Sequence, residues 1–156
     1  MTKATKQLSD HAAVAAIIRR ELKQRGIRGR VKSSAYSGGT SVSVHVTDLP
    51  PAQCRALREF CAPYEYGSFD GMTDCYEYTN TRDDIPQVRH LFVGNEASPE
   101  MERRVWDYCR GALAAFRDAP EELDGSYWTQ SLGHASDAVW QVYGGRFGTF
   151  WPEDQR

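Results

Sequence analysis

The chain has 156 residues and a formal net charge of -2, and no apolar run in it approaches the roughly 20 residues that cross a bilayer. Composition and length exclude both a membrane-spanning helix and a disordered chain, and a chain of this size buries about two-thirds of its unfolded surface, enough for a sizeable core. Its isoelectric point near 6.1 is far below the value above about 9 usual for dedicated nucleic-acid-binding domains.

The stretch Met1 to Asp10 is polar and lacks the apolar segment of a secretory signal, so a cytoplasmic location is expected, with no membrane partner. Cys54, Cys61, Cys75 and Cys109 form no C-x-x-C pair, and His11, His45, His90 and His134 are scattered singly. Neither a zinc site nor a cofactor is expected, and the cysteines read as thiols. Charge is unevenly spread. In the first 32 residues Lys3, Lys6, Arg19, Arg20, Lys23, Arg25, Arg28, Arg30 and Lys32 stand against only Asp10 and Glu21, while the remainder is acidic. Such a split produces a dipolar surface, or two halves that neutralise each other.

Ser9 or Asp10 caps a first helix whose Val14, Ile17, Ile18 and Leu22 recur at helical spacing, and Gly26 is suited to ending it. Residues 28–34 and 41–47 alternate with period two and predict two strands, joined by a hairpin at Ala35-Tyr36-Ser37-Gly38-Gly39-Thr40. With Val42, Val44 and Val46 turned inward, Ser41, Ser43 and His45 share the opposite face with Arg28, Arg30 and Lys32, a basic ribbon. Asp48-Leu49-Pro50-Pro51 opens a second helix, which Pro63 ends. Residues 75–78 and 88–93 predict two more strands joined by the polar turn 80–84.

Ser98-Pro99 starts a third helix running to about Arg117, with Met101, Val105, Tyr108 and Leu113 or Ala112 as its inner stripe. Beyond Pro120 the chain is rich in glycine and aromatics (Tyr127, Trp128, Trp140, Tyr143, Phe147, Phe150, Trp151), with a short helix expected over 135–143. The expected architecture is a single α+β domain over residues 1–156, a small antiparallel sheet with helices packed on it.

Residues 64–80 crowd five aromatics, four carboxylates and two glycines together. Asp70, Asp74 and Glu77 fall at i, i+4 and i+7, but Gly67, Gly71 and the aromatic alternation argue against a helix. These acids either cap turns or converge on a divalent cation, and the oxygen pattern of an EF-hand is absent. The aromatics either fill the core or form a recognition surface. Glu65, Tyr66, Phe69, Asp70, Asp74 and Glu77 then make an acidic aromatic surface suited to a protein partner, since carboxylates repel phosphate. Arg19, Arg20, Lys23, Arg28, Arg30 and Lys32 are the candidates for following a phosphate backbone. Ser37-Gly38-Gly39-Thr40 reads as a hairpin turn or a weak anion cradle. No nucleophile, base and anion hole stand together, so the chain reads as a binding protein before an enzyme, with catalytic residues unassigned.

The pieces Ile18-Arg19-Arg20-Glu21-Leu22-Lys23 with Gly26-Ile27, Tyr36-Ser37-Gly38-Gly39-Thr40-Ser41-Val42, Tyr66-Gly67-Ser68-Phe69-Asp70-Gly71-Met72-Thr73-Asp74 and Tyr76-Glu77-Tyr78 with Asn80 together resemble a large polyvalent protein-associated domain of the twenty-ninth type. The resemblance covers about residues 9–100 and leaves the aromatic C-terminal extension, about 120–156, outside it. It implies a place in proteins of phages and conjugative elements that blunt host defences as DNA enters. The implied partner is a host defence protein or ribonucleoprotein complex, with anti-CRISPR action as one form. A nucleic-acid-binding accessory module and an enzyme modifying a host factor through residues 70–77 are the alternatives.

Overall fold

The computed structural model describes residues 7–145 and 150–151, so Lys3, Lys6 and Phe147 lie outside the described residues. The class is α+β. Two compact units interleave along the chain, one from the described part of Met1–Val46 with Ala56–Asn95, the other from Thr47–Arg55 with the described part of Glu96–Arg156.

The first unit begins with α1 (Asp10–Gln24), which buries Val14, Ala15, Ile18 and Leu22 along one stripe. Ser9 occupies the capping position, yet its hydroxyl meets His11 Nε2 at 3.3 Å rather than the helix backbone. The other end closes as the sequence predicts. Gly26 takes φ 66°, and the Ile27 N–H donates to the Leu22 carbonyl at 2.9 Å.

β1 (Gly29–Tyr36) and β2 (Gly39–Thr47) form an antiparallel hairpin whose register sets Gly29 against Val46, Val31 against Val44 and Ser33 against Val42. Val31, Val42, Val44 and Val46 are all buried. At Gly29 an added Cβ would meet Leu22 and Val46 at 3.0 Å, so α1 lies on this valine face. The other face carries Arg30 opposite His45, Lys32 opposite Ser43 and Ser34 opposite Ser41, as the alternation predicts. α2 (Pro51–Cys61) buries Cys54, Leu57 and Cys61 and gives way at Pro63 to a single 3-10 turn, Ala62–Tyr64.

The acidic aromatic segment departs from expectation. It is a second hairpin, β3 (Ser68–Asp70) with β4 (Cys75–Glu77), Phe69 paired with Tyr76 and Asp70 with Cys75. The predicted strands at 75–78 and 88–93 therefore do not pair with each other. β4 pairs backward with β3, and β5 (His90–Glu96) joins β2, giving the sheet order β1-β2-β5. Three residues are too few for period two to register as a strand, which is why β3 is invisible in the sequence. Asn80 and Gln87 hold the intervening loop instead. The Asn80 amide nitrogen donates to the Glu65 carbonyl at 3.0 Å, and that of Gln87 to the Pro63 and Asn80 carbonyls at 2.7 and 2.8 Å.

In the second unit α3 (Pro99–Ala112) is capped by Ser98, whose hydroxyl accepts from the Met101 N–H at 3.2 Å. It ends five residues before the predicted Arg117, because Gly111 weakens the last turn and Leu113 is extended, after which Ala114–Phe116 makes a 3-10 turn. Its buried stripe is Met101, Val105, Trp106 and Cys109. Trp106 and Cys109 join the predicted Met101 and Val105 as its buried positions, the predicted Tyr108 and Leu113 pack against this core half-buried, the alternative Ala112 is exposed, and the Trp106 indole N–H donates to the Pro120 carbonyl at 3.1 Å. A short pairing of β6 (Trp128–Thr129) with β7 (Gly133–His134) leads into α4 (Ala135–Tyr143), the predicted short helix. Phe116, Ala119, Ala138, Val139, Val142, Tyr143 and Trp151 complete this core. Asp48, at φ 54°, pins the unit's two segments: its N–H donates to the Glu96 carbonyl and its carboxylate accepts from the Ser98 N–H at 2.8 Å.

Candidate binding face

The β1–β2 register and the period-two alternation of β5 decide what the open side of the three-stranded sheet presents. β1 contributes Arg30 and Lys32, β2 contributes Ser43 and His45, and β5 contributes His90 and Phe92. Phe92 is 58% exposed, although a phenylalanine this large normally belongs in a core, and its ring centre lies 5.9 Å from that of His45. His90, two residues back on the same side of β5, meets Tyr76 edge to face at 5.6 Å. Tyr76 in turn packs edge to face on Tyr78 at 5.2 Å and on Tyr66 at 5.9 Å, while Tyr66 and Tyr78 stack within 6° of parallel at 5.7 Å. An aromatic band thus runs from the sheet face onto the β3–β4 hairpin.

Arg89 ties the band together. Its guanidinium sits 4.6 Å from the centre of the Tyr76 ring, and Nη1 donates to the Gly38 carbonyl in the β1–β2 turn at 2.5 Å. The buried Arg89 Nε has no hydrogen-bond partner among the described residues, so the Tyr76 ring face is what compensates its desolvation. Burial, with the nearby Glu65 carboxylate second, pushes the Tyr76 hydroxyl up to about 12, and burial raises Tyr66 as well. These phenols stay protonated and serve as rings, Tyr76 also as a donor, and not as bases. The Ser37–Gly38 turn is a plain two-residue hairpin, and its Gly38 carbonyl receives a cation, the opposite of an anion cradle.

The predicted basic residues fall on two surfaces. Arg30 and Lys32 lie on the open sheet face, and Arg28, just before β1, is exposed beside them. Arg20 and Lys23 are exposed on α1, which covers the opposite, valine face. Arg19 reaches the edge strand, where its Nη2 donates to the Val31 carbonyl at 2.8 Å. It protects that edge and is not a free cation.

The predicted acidic residues also separate. Glu65 turns inward, its carboxylate accepting from the Leu91 N–H at 2.8 Å. Tyr66 belongs to the aromatic band. Asp70 caps the hairpin turn, accepting from the Met72 N–H at 2.8 Å and the Thr73 hydroxyl at 3.0 Å, bonds that hold its carboxyl below the usual carboxylate range. Asp74 is exposed at φ 55°, and Phe69 and Glu77 are exposed on the hairpin strands. Among the described residues no group of three or more His, Cys, Asp or Glu side chains is placed to hold a metal ion, and no helix is long and apolar enough to cross a membrane.

Sequence reasoning missed Arg89, His90, Phe92 and the face-forming role of Tyr76. The alternation of His90 and Phe92 was the available signal, but only pairing with β2 tells which side of β5 is open.

An open groove of about 690 Å3 adjoins the stacked Tyr66–Tyr78 pair, lined further by Leu8, Ala13, Arg82 and Ile85. Arg82 is engaged with Asp84 through two nitrogen–oxygen contacts of 2.9 and 2.5 Å, and the Gln87 amide oxygen accepts from the Arg82 N–H at 2.7 Å. The groove is therefore a shaped surface in which Arg82 already has its partners.

A family model described as Large polyvalent protein associated domain 29 matches residues 9–98. The match takes in α1, the three-stranded sheet and the whole aromatic band, and stops at the cap of α3. No curated protein and no solved structure matches the chain.

Proposed function

We propose, for a chain that belongs to the large polyvalent protein associated domain 29 family and so with proteins of phages and mobile elements, that it is an accessory domain binding single-stranded nucleic acid across its open sheet face. One observation carries this reading: Arg30 stands opposite His45 in the β1–β2 register and the His45 ring meets a Phe92 ring left 58% exposed, so Arg30 and Lys32 share a face with that ring. Exposed rings on a sheet stack unpaired bases, and flanking cations follow the phosphates. A duplex offers no free base faces to such a surface. The chain as a whole carries a charge of -2, so Arg28, Arg30 and Lys32 on this face supply the attraction to phosphate, and affinity falls as salt rises.

The test is a titration of a fluorescently labelled 12-nucleotide oligothymidylate. Phe92→Ala should weaken binding by about 5- to 100-fold, the usual worth of one stacked base. Changing Arg30 and Lys32 to Ala should lower the salt slope by about one for each phosphate that is no longer neutralised. Absence of binding at low salt overturns the reading.

A second reading, countering host defence by docking on a host complex such as a CRISPR ribonucleoprotein, is supported by the hairpin tip. Met72 in its turn is 97% exposed and Phe69 on β3 is exposed as well, and the same hairpin carries the exposed Asp74 and Glu77. On this reading Phe69→Asp with Met72→Asp abolishes capture of the purified host complex and Phe92→Ala does not; the reverse pattern removes it. The host cytoplasm is the location both readings require.

A further inference from the structure

We propose that the second unit docks a lysine- or arginine-bearing peptide segment of a protein partner, seating one cationic side chain against Trp140. Its α3 and α4 residues lie beyond the family match, and none of them belongs to the sheet face.

α4 buries Ala135, Ala138, Val139, Val142 and Tyr143, yet leaves the Trp140 indole 60% exposed. The indole is one wall of a cavity of about 310 Å3, with Ser136, Val139 and Tyr143 from the same helical face, Ala97 and the Glu102 side of α3. Tyr143 backs the indole at a ring separation of 6.0 Å and is itself fixed, its hydroxyl donating to the Glu96 carbonyl at 3.0 Å. An indole face is the best of the aromatic surfaces for a cation, and here a carboxylate lines the same cavity.

Glu102 also lines a second cavity of about 580 Å3 with Asp107, Glu121 and Glu122, where Arg103 is the basic side chain. The two cavities meet at Glu102. A small lone ammonium ion would use only the first of them, and a metal ion is poorly served because no described group of three ligating side chains converges. A peptide with cationic side chains spaced along it matches both, by charge complementarity along the groove and by one side chain on the indole.

The test uses labelled hexalysine as probe against the full chain at physiological salt, followed by fluorescence anisotropy, with hexaglutamate as the control peptide. The expected result is saturable hexalysine binding, weakened about tenfold by Trp140→Ala and several-fold by Glu102→Gln. Glu100→Gln should leave it within twofold, since Glu100 carries the same charge on α3 but lines neither cavity. Far-UV circular dichroism verifies that each variant is folded, and Glu102→Gln decides the matter if Trp140→Ala is not. The proposal is overturned by failure to saturate below millimolar peptide, by equal binding of hexaglutamate, or by equal losses in Glu100→Gln and Glu102→Gln. Phe92→Ala should bind hexalysine normally, which separates this outcome from that of the nucleic-acid reading.

Discussion

The Arg89 guanidinium lies 4.6 Å from the centre of the Tyr76 ring, while the Tyr76 hydroxyl donates to the Arg89 carbonyl at 2.6 Å. Each residue holds the other at two points, and through the Gly38 carbonyl Arg89 extends that hold to the β1–β2 turn. The aromatic hairpin and the sheet edge are thereby linked by one interlocked pair.

Tyr76→Phe should cost about 1 kcal/mol, because it deletes one hydrogen bond and leaves the ring under the guanidinium. Arg89→Met should cost more, since it removes both the cation and the bond to Gly38. A double-mutant cycle with Tyr76→Leu, read by urea denaturation, should give a coupling of about 0.5–2 kcal/mol. Additive losses would mean that the pair is merely adjacent.

Gly67→Ala should destabilise the chain by about 2 kcal/mol or more and uncouple β3 from β4. Gly67 is buried, and a Cβ there would run into the Glu77 carbonyl and approach the Tyr76 ring to 2.6 Å, closer than real side chains come. Backbone of the partner strand cannot swing away as a flexible side chain would. Loss of the ring-current-shifted Tyr66 and Tyr78 signals in proton NMR would accompany it; an unchanged spectrum and midpoint would refute the close approach.

Native-state alkylation should label Cys75 alone. All four cysteines are free, but Cys54, Cys61 and Cys109 are buried and Cys75 is exposed on β4. Mass spectrometry after a short iodoacetamide pulse should find one adduct in buffer and four in denaturant. Early modification of Cys61 or Cys109 would contradict their burial.

Stability should decline at alkaline pH. Burial pushes the thiols of Cys61 and Cys109 up from 9.0 to about 11, so the folded state favours their protonated forms. Their contribution is intact below pH 9 and is lost as pH rises through about 11, at roughly 1.4 kcal/mol per pH unit for each group within that window. Tyr76, pushed up to about 12, adds to the loss above pH 10. Urea midpoints at pH 8 and 10.5 should differ, and Cys61→Ala should flatten the decline; a flat profile in the parent chain would contradict it.

Local patterns carried much of the fold. The α1 stripe ending at Gly26, the β1–β2 alternation and α4 all follow from periodicity and turn chemistry within a single segment. What eluded the sequence depended on pairing. β4 has β3 and not β5 as its partner because Asn80 and Gln87 bind backbone carbonyls across the loop, contacts that no local pattern announces. The site followed the same rule. Arg30 and Lys32 were legible as a basic ribbon from alternation alone, whereas Phe92, His90 and Arg89 join them only through the placement of β5 beside β2. Arg19, an equally plausible cation in sequence, is bound to the Val31 carbonyl.

Photocrosslinking with a 5-bromouridine-substituted single strand, followed by peptide mass spectrometry, reads the nucleic-acid contact face without any substitution in the chain. The predicted adducts fall on Phe92, His90 or His45, and a crosslink suppressed by raised salt agrees with phosphate contacts at Arg30 and Lys32. Adducts confined to α1 around Arg20 and Lys23, or no adduct at low salt, would contradict the open sheet face as the binding surface.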